Sequence, residues 1–428
     1  MVDMSTQRAK AAHSQVNRAE RFRTMQFRYL CVYMFMIYTP AAAIQSFFPL
    51  YYRDSGYTDA MYGLQNALLP IVGMIGSFLF GLISDKRSRI KSILMTIMLL
   101  LMVVIYFIFH VSSLWLMMGL VLLFQFLWAP VSSLTDSMVM LSARRLNQTF
   151  ATIRGFGAAG FAVAAGIIGW ILDLLPGEST MGWIVIGLIG CTWLTLCLIR
   201  DPRSPQYVHS EQEKKSEKEQ EIGQGTAKEE VRILDLAPYI MTPRFMFFIA
   251  AMIVYQMTFS FNDQYFGFLI RELNGTSVHI GLGWMLPAAV EVAIFLYLGR
   301  SRHRLRPLPM LAISAVIFSI RSFILAWTDS LVVVMLLQAV QGIAIAFFFI
   351  YVAEYMMETI PDKFRASGQA VLQMIMSIGA AVTGSVIGAY LYHHYGLEGL
   401  FVTGGWLLMI SIGIFLWAER LERAYVAK

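Results

Sequence analysis

Long apolar runs separated by short polar stretches recur along the whole chain. Runs long enough to cross a hydrocarbon layer of about 30 Å occupy 28–49, 62–84, 91–110, 113–140, 150–172 and 180–199. After a polar gap, others occupy 244–269, 278–299, 308–328, 331–357, 367–392 and 399–419. The pattern predicts an all-α membrane protein of twelve transmembrane helices in two six-helix bundles. On this reading 1–27 form an N-terminal tail, 28–199 the first bundle, 200–243 a linker, 244–420 the second bundle and 421–428 a short tail.

Around "SEQEKKSEKEQEIGQGTAKEE" the gap mixes both charge signs with few apolar residues. Such a stretch buries too little surface to fold alone and predicts a solvated linker. Lysine and arginine set the orientation. "DKRSRIK", "SARRLNQ", "RSRHRLR" and "DKFRAS" fall on one side, and the other keeps essentially Arg53 and Arg271. The positive-inside rule then puts the basic loops and both termini in the cytoplasm, in a cell (inner) membrane.

Composition narrows the class further. The chain is 57% hydrophobic and 14% charged, where a soluble protein carries about a quarter charged residues. The net charge of +6 is not gathered on a soluble domain, so a lipid bilayer is the expected partner and nucleic acid is not. Arg8, Lys10, Arg18, Arg21 and Arg23 precede the first run without a small-residue cleavage site. A cleaved signal peptide is therefore not expected. Cys31, Cys191 and Cys197 all lie in apolar runs, at spacings that indicate neither disulfides nor a metal site.

The stretch "IRGFGAAGF", 153–161, spells a G-x-G-x-x-G. A dinucleotide turn needs a strand before it and a helix opening on it, and this one sits inside a hydrophobic crossing. It predicts a helix-packing surface. Ala158, Ala162 and Gly166 recur at i, i+4, i+8 in the fifth crossing, as do Ala380, Gly384 and Gly388 in the eleventh. Small residues at that spacing let membrane helices approach closely, and their recurrence points to two pseudo-symmetric halves.

Charge inside a crossing costs at least a few kcal/mol and marks a cavity or a partner. Asp136 in the fourth crossing and Arg154 in the fifth should meet across a helical hairpin near the midplane, as a solute site or a structural ion pair. In the second half Glu291, Arg321 and Gln341 should share one level, with Asp263 nearer the external end. Two polar clusters, one per half, fit a solute site at the repeat interface. Glu291 opposed by Arg321 is the first candidate proton carrier, with Asp136 and Asp263 behind it.

Beneath the second crossing, "GLISDKRSR" resembles the loop signature of the major facilitator superfamily. That resemblance implies a latch between bundles made by Gly81, Asp85, Lys86, Arg87 and Arg89. From about 26 to 420 the chain is similar to the lactose permease group of oligosaccharide:proton symporters. "FFPLYYRDSG", "SFLFGLISDK", "IRGFGAAGFAVAA", "NDQYF" and "FSIRSF" carry the likeness. It implies sugar contact for Phe161, in place of a stacking tryptophan, and for Glu291, an Asp136–Arg154 pair, an acid of the seventh crossing at Asp263 and a proton-site role for Arg321. Asp136, Arg154, Phe161, Asp263, Glu291 and Gln341 are the candidate solute-binding residues. Gln341 and Ala344 stand where that group has a histidine and a glutamate, and Ser377 falls near its lysine.

These features predict a secondary active transporter, not an enzyme, working by alternating access. Proton-coupled uptake of a sugar or similar polar solute is expected, with no cofactor. An aromatic or organic acid or a nucleoside is the alternative solute, and a drug antiporter or a non-transporting sensor the alternative class. The resemblance implies a monomer.

Overall fold

The computed structural model describes residues 2–87, 89–146, 148–175, 177–202, 241–300, 305–361, 372 and 374–426. Most of the expected linker, the middle of "RSRHRLR" and all of "DKFRAS" lie outside the described residues. The helices are α1 (Val2–Asp54), α2 (Asp59–Arg87), α3 (Ile90–Ile108), α4 (Leu114–Leu146), α5 (Phe150–Leu174) and α6 (Glu178–Leu198). They continue with α7 (Pro243–Glu272), α8 (Ser277–Arg300), α9 (Pro307–Trp327), α10 (Leu331–Thr359), a π-helix (Ile375–Ala380) and α11 (Ala381–Val426).

Eleven helical segments among the described residues are long and apolar enough to cross a membrane. The twelfth crossing is folded into α11. Its 46 residues would extend about 69 Å if straight, more than twice a hydrocarbon core. The helix breaks at Gly396, φ 65°, a conformation that glycine adopts without a Cβ clash. The two arms, 381–395 and 397–426, run in opposite directions. His393 of the first arm meets Asp59 at the start of α2. In the second arm Glu398 bonds Trp327 at the far end of α9, and Glu419 bonds Arg306 at its start. Two boundaries differ from the expected ones: α1 begins at Val2, well before the apolar run, and the eleventh crossing enters through a π-helix.

In the first bundle α1 packs on α5 and α6, α2 on α4, and α3 on α4 and α6; in the second, α7 and α9 pack on α11, and α10 on α8 and α9. The bundles meet along two broad seams, α5 with α8 and α2 with α11. We call the end where the second arm of α11 finishes the terminal end, and the opposite one the distal end.

The glycines of the G-x-G-x-x-G stretch settle its role. A Cβ on Gly157 would strike the Tyr38 ring, and one on Gly160 the Phe35 backbone, both in α1. In the second half Gly384 and Gly388 face Met257, Ser260, Phe261 and Tyr265 of α7. The repeat is therefore one of contact: α5 seats on α1 as the first arm of α11 seats on α7. Gly166, expected to belong to that stripe, instead faces Met285 of α8 across the seam.

Buried apolar side chains form two cores, and they do not follow the two bundles. The larger fills the first bundle and continues into the distal part of the second through Phe261, Phe266, Phe268, Ile280, Leu337 and Leu400. The smaller holds the terminal part of the second bundle alone, around Phe248, Tyr255, Leu311, Tyr355 and Phe415. The halves are fused distally and separate terminally.

Gly160→Val should therefore lower the thermal unfolding midpoint in detergent, with a loss of about 1–3 kcal/mol from forcing α5 off α1. Gly155→Ala, where a Cβ meets nothing, should not. Equal midpoints for the two variants would refute the packing role.

Candidate solute-binding site

A cavity of about 930 Å³ lies between the bundles, within the range that encloses a small-molecule ligand. The first bundle contributes Asn66, Pro70, Gly73 and Ser77 of α2, with Gln125 and Ala129 of α4. The second contributes Tyr255, Gln256 and Gln264 of α7, Phe348 and Val352 of α10, and Ser377 and Ser385 beyond. Helical geometry explains the set. Positions 66, 70, 73 and 77 fall on one stripe of α2, as 125 and 129 do on α4. Gly73 lets the Gln125 amide lie flat against α2, since a Cβ there would press on its Nε2.

Among the described residues, all the lining side chains are uncharged. The walls are mostly apolar, and the polar groups are amides and hydroxyls. Gln264 Nε2 donates to Ser385 Oγ at 2.8 Å. The Tyr255 hydroxyl pairs with Ser314 at 3.0 Å. Asn66 Nδ2 is buried, and its side chain lies against that of Tyr62 one turn earlier on α2.

The expected Asp136–Arg154 pair forms. Arg154 donates from Nη1 to Asp136 Oδ1 at 2.9 Å, and its guanidinium lies 5.0 Å over the Tyr38 ring. Its level differs from the expected one. At 1.5 Å per residue the pair lies roughly 11–13 Å to the terminal side of the middle of its crossings, Leu114–Ala143 and Thr152–Leu174. Asp136 continues the α4 stripe of Gln125 and Ala129 two turns further, and neither member of the pair is among the residues that line the cavity.

In the second half the expected grouping breaks. Arg321 is fully buried and donates to Asn262 Oδ1 at 2.8 Å, to Gln338 Oε1 and to the Leu337 carbonyl. It does not meet Glu291. Arg321, Gln341 and Asp263 lie roughly 6–8 Å to the distal side of the middle of their helices, whereas Glu291 lies roughly 4 Å to the terminal side of the middle of α8 (Ser277–Arg300). Glu291 and Arg321 are thus roughly 10 Å apart in level along the axis. Glu291 is half-buried with no hydrogen bond or ion pair among the described residues. Gln341 Oε1 and Asp263 Oδ1 are buried without hydrogen-bond partners. Phe161 sits edge-on to Trp284 of α8, centroids 6.4 Å apart, across the seam.

The residues of the expected latch stand at the terminal end, where α2 turns into α3. Asp85, Lys86, Arg87 and Arg89 are exposed, and among the described residues Lys86, Arg87 and Arg89 make no hydrogen bond or ion pair. A Cβ on Gly81 would meet nothing. The distal end is tied shut instead. Asp173, at the end of α5, accepts from the Ser277 and Val278 amides that open α8, at 2.8 and 3.0 Å. Tyr62 donates to the Gln264 carbonyl at 2.8 Å. Asp59 meets His393 at 3.0 Å, and Arg53 lies 4.8 Å over the Phe268 ring.

A family model described as "MFS_1 like family" matches residues 10–403. The chain belongs to this family and is a major facilitator transporter. It is 22% identical to a maltose permease of Geobacillus stearothermophilus over 92% of this chain and 94% of that one. Its fold is similar to that of the nucleoside transporter NupG, at TM-score 0.72 and 16% identity, covering 92% of this chain and 98% of that one. It is also similar to a bacterial homologue of the human lysosomal transporter Spinster, in an inward-facing and unoccupied conformation, at TM-score 0.66 and 12% identity over 93% and 97% of the two chains.

The cavity amides escaped sequence reasoning, which searched the crossings of this transporter for charge. An uncharged amide in an apolar helix is also costly unless satisfied. The stripe 66, 70, 73, 77 carried that signal.

Arg154→Ala should lower the unfolding midpoint more than the double variant Asp136→Asn with Arg154→Gln, because the single change strands a carboxylate. The half-exposed pair limits the difference to about 1 kcal/mol. A double-mutant cycle with no coupling would show that the charges act independently.

Proposed function

We propose that this transporter carries a small, neutral, polyhydroxylated solute, a sugar or a nucleoside, by proton-coupled alternating access. The observation that carries the proposal is the uncharged, amide-bearing lining contributed by both bundles. Amides offer donors and acceptors together and suit hydroxyls and nucleobase edges. An organic acid would call for a cation in the wall. Arg154 is committed to Asp136 and Arg321 to Asn262 and Gln338, outside the lining set. Maltose and nucleosides, the solutes named for two of the similar proteins, are of the neutral class.

The transporter works as a monomer in the cell membrane, with no nucleic-acid partner and both termini in the cytoplasm, so that this conformation faces inward. Asp85, Lys86, Arg87 and Arg89 engage the second bundle when the inner end closes. Asp136, Arg154, Phe161, Asp263, Glu291 and Gln341 surround the solute's path. The proton is the coupling ion. Glu291 is its first carrier, since an unpaired carboxyl takes up a proton without breaking an ion pair. Arg321 supports the site by fixing α7 to α10 through Asn262 and Gln338.

In proteoliposomes the purified protein should take up maltose or uridine and not 3-phenylpropionate; uptake of the acid alone would overturn the neutral-solute reading. Gln125→Ala and Gln256→Ala should each raise KM about 3–10-fold, the worth of one hydrogen bond. Glu291→Gln should abolish accumulation against a gradient while counterflow exchange persists. Undiminished accumulation would remove Glu291 from the proton route.

A further inference from the structure

Three helices place a residue of the distal seal one turn beyond a polar residue of the cavity. On α2, Tyr62 in the seal precedes Asn66 in the wall by four positions. On α7, Phe268, beneath the Arg53 guanidinium, follows Gln264 by four. On the first arm of α11, Ala389, pressed against Gly63, follows Ser385 by four. One helical turn is about 5.4 Å, so the polar end of the cavity and the seal are adjacent layers of the same helices.

Gln264 belongs to both layers. Its side chain lines the cavity and donates to Ser385 Oγ at 2.8 Å. Its main-chain carbonyl accepts the Tyr62 hydroxyl, at 2.8 Å, from the opposite bundle. On that bundle's wall Asn66 stands one turn from Tyr62, against its side chain.

We infer that Gln264 is the positioning residue that links solute binding to opening of the distal seal. At rest, the bond to Ser385 fixes α7 against α11 and holds the Gln264 carbonyl in line with Tyr62. A solute oxygen in the cavity accepts the Gln264 amide proton. The Gln264 amide then leaves Ser385, α7 shifts against α11, and the carbonyl loses its alignment with Tyr62. This rests on the neutral-solute reading above, which supplies an oxygen-rich ligand for the amide.

Hydrogen–deuterium exchange on the full-length protein in nanodiscs tests the link at the distal segments 55–62 and 272–280. Saturating maltose or uridine should raise exchange there in the wild type. Gln264→Ala and Ser385→Ala, which keep the main-chain carbonyl, should each show that raised exchange without solute and little further change with it. Tyr62→Phe should show the same resting increase while retaining solute affinity within about threefold by thermal shift, whereas Gln264→Ala should lose about tenfold or more, as expected for a lost buried hydrogen bond. Resting exchange in Gln264→Ala equal to wild type would overturn the proposal. So would a full solute-induced rise in that variant at saturation. Absence of any thermal shift in the wild type would fail the neutral-solute reading by itself, and the resting comparison of Gln264→Ala with wild type would still decide the link.

Discussion

The rest of the structure depends on one apolar contact layer, the distal fusion of the two bundles. A single core runs from the first bundle into the distal part of the second, while the terminal part of the second keeps a core of its own. Close helix approach makes this possible. On the α5–α8 seam a Cβ on Gly169 would meet the Ser277 backbone, and one on Gly281 the Ala165 backbone. Between membrane helices, packing and hydrogen bonds drive association more than burial from water does. Glycine–backbone contact is the form of packing that two rigid bundles can make and release as units.

Polar contacts at the same end act on a different scale. Asp173 satisfies two of the main-chain donors left open at the start of α8, and a carboxylate there is also favoured by the helix dipole. Asp59 and His393, and Arg53 over Phe268, are partly exposed and add direction more than strength. The shape-matched apolar layer and the polar ties, Tyr62 on the Gln264 carbonyl among them, hold the distal end shut together. Both must yield together if the cavity is to open on the other face.

Inside the cavity the absence of charge from the lining has a physical consequence. Arg321 has the field to attract an anion, yet its Nε and Nη2 donors are taken by the Leu337 carbonyl, Asn262 and Gln338. Asp136 and Arg154 neutralise each other outside the lining set. What faces the cavity is a set of amides and hydroxyls on an apolar surface. Such a surface disfavours a bare ion through desolvation and offers hydrogen bonds to neutral groups.

The residues themselves fixed more of this protein than their low similarity to solved structures would imply. Apolar run lengths set the number of crossings, because a bilayer of given thickness leaves a backbone no other way to satisfy its hydrogen bonds. The eighteen-residue spacing of Asp136 and Arg154 across a short turn made their pairing legible, since a helical hairpin returns to the same level at a computable position. Glu291 and Arg321 also flank a hairpin of consecutive helices, but Glu291 stands nine residues before the end of α8 and Arg321 fourteen after the start of α9, so the chain does not return to one level there. The cavity is different. Asn66, Gln125 and Gln264 are far apart in the chain, and only the rotation and tilt of α2, α4 and α7 decide that they share one wall. Periodicity states which face of a helix is special; the neighbour that face meets is a property of the assembled fold.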